Sequence, residues 1–359
     1  MNEKNKILKI ALDVPLDKFF DYLNNESNIS IGQYVKVPFG KRTLIGVVCG
    51  FAKSSIVPVD KLKQIISVEK EVICDENLLE LLTFSSSYYH HPIGQAILSI
   101  VPSRIKNEKN SPLKKEMIYK ATKKLTQDWI KTNITKRQKT KIKLLSALLI
   151  QPLIQSKLKT IASNASQVIL ELESLGLCIA EEYIPKNNHH KDEIPPLNVE
   201  QKKVLEKLSR KDTFIPWLLH GVTGSGKTEI YLNLIKKYIE KKGNQILVLV
   251  PEINLTPQLE NRFRMRFPNK KVVILHSNIN ESQRLKNWRL AKSGEAQIIL
   301  GTRLAIFTPI KNLRFIIIDE EHDASFKQQE GFKYHARDVA MVRARNQNIP
   351  ILMGKATPP

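Results

Sequence analysis

Apolar residues in the C-terminal half of the chain form short continuous runs separated by segments of helical spacing. The runs cover residues 217–220, 245–250, 272–275, 297–300, 315–318 and 349–353. Such runs are typical of strands that helices cover on both faces, as in a parallel sheet. Thr256 followed by Pro257 is a helix-start signal between two of the runs. The pattern predicts a mostly parallel sheet within residues 198–359, with its ligand at the carboxyl ends of the strands.

Residues 1–104 show a different pattern, that of a small β-rich domain. Glycine and proline turns separate its strand-like runs, which cover residues 7–12, 34–37 and 44–49. A helical pattern begins at Glu76 and leads into an aromatic cluster at residues 88–94.

Residues 105–183 are predicted to form a winged-helix domain. From residue 104 to residue 143 there are fourteen Lys and Arg against three acids, which indicates first a linker or solvated face and second a phosphate-contacting surface. Three short helical patterns and a strand-like run follow, and a winged helix binds nucleic acid or contacts protein about equally often. The polar, proline-bounded residues 184–197 are predicted to be a linker.

Composition indicates a class of binding partner and a cellular compartment. The chain has 57 Lys and Arg against 35 Asp and Glu, a formal net charge of +22. This excess indicates a polyanionic partner such as nucleic acid, although a Lys-rich composition spread over the whole chain contributes to it. The three cysteines lie far apart, so no zinc is expected and a reducing compartment is indicated. Without a spanning apolar run or a secretory start, we expect a cytoplasmic protein with no membrane partner.

A phosphate loop is predicted at residues 221–228, which match the spacing Gly-x-x-x-x-Gly-Lys-Ser/Thr. Glycines let backbone N–H groups turn toward phosphate oxygens at a helix N-terminus. Lys227 can reach the β- and γ-phosphates, and the Thr228 hydroxyl can bind Mg²⁺. A glycine-rich turn without a ligand is the alternative, but strand, loop and helix follow in the required order. The predicted ATP-binding residues are Gly221, Val222, Thr223, Gly224, Ser225, Gly226, Lys227 and Thr228.

Two carboxylates directly follow the apolar run at residues 315–318. Asp319 is predicted to hold Mg²⁺ and Glu320 to polarise the attacking water, so that Glu320 and Lys227 are the predicted catalytic residues. A solvated strand end is the alternative. Gln201, ahead of the phosphate loop, offers a donor and an acceptor to adenine, although alone it would be a surface glutamine. The predicted fold class is multi-domain α/β: a small β-rich domain, a winged helix and a RecA-like P-loop lobe.

Several motifs resemble those of the PriA family, the superfamily 2 helicases of bacterial replication restart (primosomal protein N′). The helicase motifs are at residues 221–229, 250–253, 255–258, 301–303, 319–323 and 327–338. The family's 3′-DNA-end-binding domain is resembled at residues 15–16, 19–23, 37–40 and 88–94. The resemblance covers nearly the whole chain.

The resemblance implies DNA-binding roles at matching positions. The pocket for the 3′-hydroxyl end of a nascent leading strand would be formed by Phe20, Asp21, Tyr22, Gly40 and Lys63. A carboxylate at Asp21 accepts hydrogen bonds from a sugar hydroxyl and repels a phosphorylated end. Judged on the residues alone, residues 20–22 are rather an ordinary amphipathic turn with buried aromatics.

In the helicase region, the resemblance implies that Arg303 contacts DNA or couples DNA to the ATP site. Phe326, Phe332 and Tyr334 would stack on single-stranded bases, beside phosphate contacts from cations such as Arg337.

The family further implies ATP-driven 3′-to-5′ translocation, with ATP and Mg²⁺ as cofactors. Its partners would be branched or forked DNA, single-stranded DNA, a nascent 3′ end, primosome proteins and single-strand binding protein. In the family a second lobe and a two-zinc region follow the lobe at 198–359, so we expect residues 1–359 alone to bind ATP·Mg²⁺ and forked DNA and to unwind little. Lys355 stands where the family's next motif usually has serine.

Two alternatives from other classes remain. One is a DNA-binding scaffold for primosome assembly with an idle nucleotide site. The other is a P-loop ATPase that acts on protein or small molecules.

Overall fold

The computed structural model describes residues 7–26, 28–106, 117–135, 138–155, 158–162, 164–182, 196–209, 212–222 and 224–356. The chain divides into two compact units, residues 1–109 with 189–359, and residues 110–188. Thr223 and nearly all of the predicted linker at residues 184–197 lie outside the described residues.

The N-terminal part of the first unit is an antiparallel sheet with helices on one face. Its strands are β1 (Ile7–Leu12), β2 (Phe20–Leu23), β3 (Gln33–Phe39), β4 (Arg42–Ala52) and β5 (Ser67–Val72), in the order β2-β1-β4-β3-β5. The helices are α1 (Glu76–Tyr88), α2 (Ile93–Ser99) and α3 (Ser103–Lys106). Alternation along β1 sends Leu8 and Ile10 into one core cluster and Ala11 into the cluster under α1 and α2.

The second unit is a helical domain on a three-stranded sheet. Its elements are β6 (Met117–Ala121), α4 (Gln127–Asn133), α5 (Lys139–Ile150), β7 (Leu153–Ile154), α6 (Leu158–Ile161), α7 (Ala165–Ser174) and β8 (Cys178–Glu182), with strand order β7-β6-β8. Both β6 and α4 lie in the basic stretch that was predicted to be a linker or solvated face. They form because Tyr119 and Leu125 enter the core and because the Thr126 hydroxyl caps α4.

The C-terminal part of the first unit is a parallel sheet with helices on both faces. Its strands are β9 (Pro216–His220), β10 (Gln245–Leu249), β11 (Val272–Leu275), β12 (Ile298–Gly301), β13 (Leu313–Ile318) and β14 (Ile351–Lys355), in the order β11-β12-β10-β13-β14-β9. The helices are α8 (Val199–Leu208), α9 (Lys227–Ile239), α10 (Pro257–Arg266), α11 (Glu281–Ser293) and α12 (Ala336–Asn346). Every apolar run of this region forms a strand, so the predicted sheet is confirmed.

The helices cover the sheet because its strands are apolar on both sides. Ile235 of α9 and Phe263 of α10 belong to one core cluster, whereas Trp288 of α11 and Val339 of α12 belong to the other. The Thr256 side chain accepts a hydrogen bond from the N–H of Leu259, and Pro257 is the first residue of α10, as predicted.

The strand that leads into the phosphate loop lies at the edge of this sheet. Among the described residues, β9 pairs with β14 alone, from Pro216 opposite Ile351 to His220 opposite Lys355. Leu218 of β9 is 59% exposed, whereas all five residues of β10 are buried. The apolar run predicted a strand but not its place at the edge.

The N-terminal sheet packs directly against the parallel-sheet lobe within the first unit. The Arg289 guanidinium on α11 donates to both carboxylate oxygens of Glu71 on β5, at 2.9 and 2.7 Å. The backbone N–H of His335 donates to the Tyr89 hydroxyl (3.2 Å), and the His91 ring stacks on Phe332 at 5.2 Å. Two-point contacts of this kind fix orientation as well as distance.

Candidate active site and nucleic-acid interface

The phosphate loop turns directly from β9 into α9. Gly226 is the N-cap of α9 with φ +84°, and a Cβ there would lie 2.4 Å from the Gln201 side-chain nitrogen. The Lys227 side chain folds back over the loop, with Nζ donating to the carbonyl oxygen of Gly221 at 2.9 Å and lying 3.5 Å from that of Val222. A glycine is required at Gly226 because other residues rarely adopt this conformation.

The predicted catalytic pair meets at the carboxyl edge of the sheet. Lys227 Nζ lies 3.4 Å from Glu320 Oε1, and Glu320 Oε2 accepts a hydrogen bond from the Ala356 N–H at 2.9 Å. Glu320 has φ +48°, in the left-handed region that few non-glycine residues adopt. Local strain of this type is common where a functional side chain must be aimed.

Asp319 is bound by a residue that the sequence analysis did not single out. The Tyr231 hydroxyl donates to Asp319 Oδ1 at 3.1 Å, and Tyr231 is 2% exposed. Burial, helped by the nearby Glu320, raises the pKa of Asp319, and the bond from Tyr231 opposes that rise. Tyr231 follows Lys227 by one helical turn and therefore faces the same way. That spacing was the available signal, but it also fits an ordinary core residue.

The donor set at this edge suits a magnesium ion. Mg²⁺ prefers hard oxygen ligands and is usually held by one or two protein groups together with phosphate oxygens. The half-buried Asp319 carboxylate is such a ligand, and burial raises its pKa because the charged form is poorly solvated there, so that a cation beside it would stabilise the carboxylate. The Thr228 hydroxyl in the first turn of α9 is the second predicted ligand. No contact places it beside Asp319 directly, so its role stays a prediction.

Gln201 lies at the phosphate loop rather than on open surface. Its side-chain nitrogen donates to the Ser225 carbonyl at 3.0 Å, and its side-chain oxygen accepts from the Asn198 N–H at 3.0 Å. Asn198 and Gln201 thereby form a capping box at the start of α8. Gln201 connects α8 to the loop, and its predicted contact with adenine stays a prediction.

Arg303 is the centre of a polar network that joins three loops at the same sheet edge. Its guanidinium donates to Gln328 (2.6 Å), to Glu252 (3.1 Å) and to the Ser325 carbonyl (3.2 Å). A hydrogen bond from the Ser277 hydroxyl is the main cause that holds the pKa of Glu252 below its usual value, and the Arg303 guanidinium lowers it further. A groove of about 350 Å³ lies beside this network. The sequence placed Glu252 and Gln328 in helicase motifs but did not indicate that they contact Arg303.

Three aromatic side chains predicted to stack on DNA bases are core residues instead. Phe326, Phe332 and Tyr334 are 0%, 5% and 3% exposed. Tyr334 lies edge-on to Phe307 at 4.9 Å and Phe332 lies 5.2 Å from Tyr334, so the rings of Phe332 and Tyr334 already have aromatic partners. This packing corrects the stacking prediction, because a base needs an exposed ring face.

Arg337 was predicted to contact DNA, and the structure pairs it with acids. Its guanidinium donates to Glu321 (3.0 Å) and to Asp338 (3.0 Å). The side chain is 38% exposed, so a phosphate contact would have to compete with these two ion pairs.

The five predicted 3′-end residues line one pocket in the N-terminal sheet. The pocket has a volume of about 220 Å³ and is lined by Phe20, Asp21, Tyr22, Pro38, Phe39, Gly40, Val57, Lys61, Leu62 and Lys63. Gly40 and Lys41 form the two-residue turn between β3 and β4, which brings Gly40 to the rim. The Tyr22 hydroxyl donates to the Pro38 carbonyl at 3.0 Å and joins the two walls.

The Asp21 carboxylate has partners of its own on the sheet. Residues alternate along a strand, so Asp21 faces away from Phe20 and Tyr22. Its carboxylate lies 2.7 Å from Lys9 Nζ and accepts a hydrogen bond from the Ser55 hydroxyl at 2.5 Å. Ser55 in turn accepts from the N–H of Val57, a pocket residue. Asp21 therefore supports a pocket wall, which sequence spacing alone did not indicate.

Comparison with known families assigns both parts of the first unit. Residues 9–102 match a family model described as the 3′ DNA-binding domain of PriA, and residues 198–359 match the DEAD/DEAH box helicase model. The replication restart protein PriA of Haemophilus influenzae is 38% identical over 98% of this chain and 49% of its own length. The chain belongs to the PriA family of replication restart proteins.

Other PriA proteins show how the similarity is distributed. PriA of Treponema pallidum is 32% identical over 98% of this chain and 44% of its own length. PriA of Bacillus subtilis is 46% identical, but over 47% of this chain and 21% of its own length. The chain thus spans about half the length of the PriA proteins that match it throughout.

Solved structures add only a distant similarity. RecG bound to a three-way DNA junction aligns over 54% of this chain and 23% of its own at 22% identity, with a TM-score of 0.37. A similarity at that level supports no inference about function. No helix in the described part of the chain is long and apolar enough to cross a membrane.

Proposed function

We propose that residues 198–359 bind ATP with Mg²⁺ and hydrolyse it when the chain is on DNA. The observation that carries this proposal is the meeting of Lys227 Nζ and Glu320 Oε1 at 3.4 Å on the carboxyl edge of the parallel sheet. At that distance the two side chains contact each other directly, so we expect this ion pair to open when the transferring phosphoryl group enters between their loops.

In the proposed reaction, the loop amides of residues 221–228 hold the phosphates. Lys227 exchanges its bonds to the carbonyls of Gly221 and Val222 for stronger, charge-assisted bonds to phosphate oxygens. Mg²⁺, when bound through Thr228 and Asp319, neutralises charge on the phosphates. Glu320, released from Lys227 and still held by the Ala356 N–H, takes the proton of the attacking water.

We further propose that the substrate is a branched or forked DNA with a nascent 3′ end, bound in the pocket of the N-terminal sheet. Support comes from the match to the 3′ DNA-binding domain, from the pocket lined by Lys61 and Lys63, and from the net charge of +22. Primosome proteins and single-strand binding protein are the proposed protein partners. Residues 1–359 by themselves are expected to bind ATP·Mg²⁺ and forked DNA and to unwind little.

The test is DNA-stimulated ATP hydrolysis by Lys227→Ala and Glu320→Gln variants. Both should lose at least about 100-fold in turnover, because each removes a group that acts on the transferring phosphate or its nucleophile. Lys236→Ala is the matched control, since this lysine is exposed on the same helix. It should hydrolyse ATP like the native chain.

The same measurement decides between the enzyme and the alternative of a DNA-binding scaffold with an idle nucleotide site. Equal turnover in the native chain and both active-site variants would reject the ATPase and leave the scaffold. Turnover that forked DNA does not stimulate would instead favour a P-loop ATPase with another substrate.

A further inference from the structure

Tyr231 occupies a place at the nucleotide site that packing alone does not explain. Its ring is buried on α9, yet its hydroxyl reaches the end of β13 and donates to Asp319 Oδ1 at 3.1 Å. A tyrosine hydroxyl has one proton to donate, and a carboxylate oxygen is its acceptor here.

Strand β14 also passes very close to the Tyr231 hydroxyl. A Cβ at Gly354 on β14 would lie 1.8 Å from the Tyr231 hydroxyl oxygen and 3.3 Å from Asp319 Oδ1. Only glycine lets β14 pass this close. The Gly354 carbonyl also accepts the N–H of Glu321 at 2.8 Å, which fixes β14 to the acidic segment.

The geometry on the other side of Asp319 completes the arrangement. The Asp319 N–H donates to the Leu249 carbonyl at 2.8 Å, so the backbone of this residue is held by β10. With the backbone fixed and Oδ1 bound to Tyr231, the carboxylate has little rotational freedom.

We propose that Tyr231 is a positioning residue for the magnesium site, which orients the Asp319 carboxylate so that one oxygen is presented to the cation. This inference rests on the proposed nucleotide site and goes beyond it by naming the group that orients its ligand. Partners that orient metal ligands typically contribute about 10–100-fold to metal affinity.

The experiment compares Tyr231→Phe with Tyr238→Phe. Tyr238 is a matched control because it is buried on the same helix, packs on Phe315 at 4.9 Å and has Asp212, not Asp319, as its neighbouring acid. Binding of a fluorescent ATP analogue is titrated with Mg²⁺, and the analogue's affinity in EDTA is measured separately. Direct binding of Mn²⁺ in the presence of ATP is followed by electron paramagnetic resonance.

Tyr231→Phe should raise the Mg²⁺ concentration for half-maximal effect about 10-fold and weaken Mn²⁺ binding similarly. Affinity for the analogue in EDTA should not change, and Tyr238→Phe should match the native chain in every measurement. Should Tyr231→Phe destabilise the protein, Gly354→Ala provides a second route, because its methyl group displaces the hydroxyl. It should reproduce the shift in Mg²⁺ dependence.

An unchanged Mg²⁺ dependence in Tyr231→Phe, or an equal shift in Tyr238→Phe, overturns the positioning role and leaves the nucleotide site standing. Failure of the native chain to bind the analogue, or native-like binding by Lys227→Ala, overturns the nucleotide site and the positioning role together.

Discussion

At the scale of single residues, the sequence identified the side chains that could carry the chemistry better than it identified the residues that contact them. Lys227, Asp319 and Glu320 follow from spacing and from the end of an apolar run, and the structure places Lys227 beside Glu320. Tyr231 could not be separated from core residues, because a buried hydroxyl has the same helical spacing as a buried methyl group. What distinguishes it is a contact with a residue far away in sequence.

Asp21 shows the same limit in the N-terminal sheet. The family resemblance implied that the Asp21 carboxylate meets the DNA end, whereas in the structure this carboxylate, although it lines the pocket, is bound by Lys9 and Ser55. We therefore expect Asp21 to affect DNA binding indirectly, by holding the segment from Ser55 to Val57 in place.

We predict that Asp21→Ala and Ser55→Ala weaken binding of a fork with a free 3′-hydroxyl end to a similar extent. About 5-fold is expected from the loss of one hydrogen bond that holds the pocket wall. Fluorescence anisotropy with forks ending in 3′-hydroxyl or 3′-phosphate measures both affinity and discrimination.

Thr43→Ala is the control in this experiment, because Thr43 is exposed on β4 and does not line the pocket. A loss of 3′-hydroxyl discrimination in Asp21→Ala with none in Ser55→Ala would show that the carboxylate meets the DNA end directly.

At the scale of elements, α12 is tied to the loop after β12 by one buried cation. Arg343 is 2% exposed and donates to the carbonyls of Ile306 and Thr308 (2.9 Å for Thr308). Burial lowers the pKa of Arg343 to about 10, yet it remains charged at neutral pH. These two carbonyls lie at the C-terminal end of the short helical segment that begins at Arg303.

Arg343→Ala should lower the free energy of unfolding by about 2–4 kcal/mol, because two buried carbonyls lose their donors and a cavity forms. Arg345→Ala, an exposed arginine on the same helix, should change it by less than about 0.5 kcal/mol. Urea unfolding followed by circular dichroism gives both values. Similar midpoints for the two variants would refute a special role for Arg343.

Element by element, the hydrophobic pattern predicted the strands of the parallel sheet and β1, β3 and β4 of the N-terminal sheet, since burial leaves a clear apolar run. It did not predict β2, which was interpreted as a turn, or β5, because their residues are mostly half-buried. It did not predict β6 and α4, where Tyr119 and Leu125 are dispersed among lysines. Nor did it predict the burial of Phe332 and Tyr334. Their segment has alternating aromatic and charged residues, and only the packing against Phe307 and His91 decides which face is inside.

At the scale of the whole molecule, the N-terminal sheet and the parallel-sheet lobe share one compact unit. The ion pair of Glu71 with Arg289 and the stacking of His91 on Phe332 join them at separate places. The pocket of the N-terminal sheet and the phosphate loop thus belong to one compact unit, which is consistent with the proposed coupling of fork recognition to ATP hydrolysis.

The net charge of +22 gives a prediction for the chain as a whole. Affinity for forked DNA should fall by about 10³-fold or more between 50 and 200 mM salt, if roughly six or more phosphates are neutralised. Affinity for the ATP analogue, set by local contacts, should change much less. Anisotropy titrations at a series of salt concentrations test both. A flat salt dependence for DNA would reject nucleic acid as the partner of the basic surface.

The position of β9 at the sheet edge has a mechanical consequence. Its ladder runs to β14 alone among the described residues, whereas β14 is also paired with β13. The strand that leads into the phosphate loop is therefore anchored to the sheet on one side only, unlike β10, which pairs on both sides. We expect the proposed nucleotide site to deform more easily at this border than it would beside a strand in the middle of the sheet.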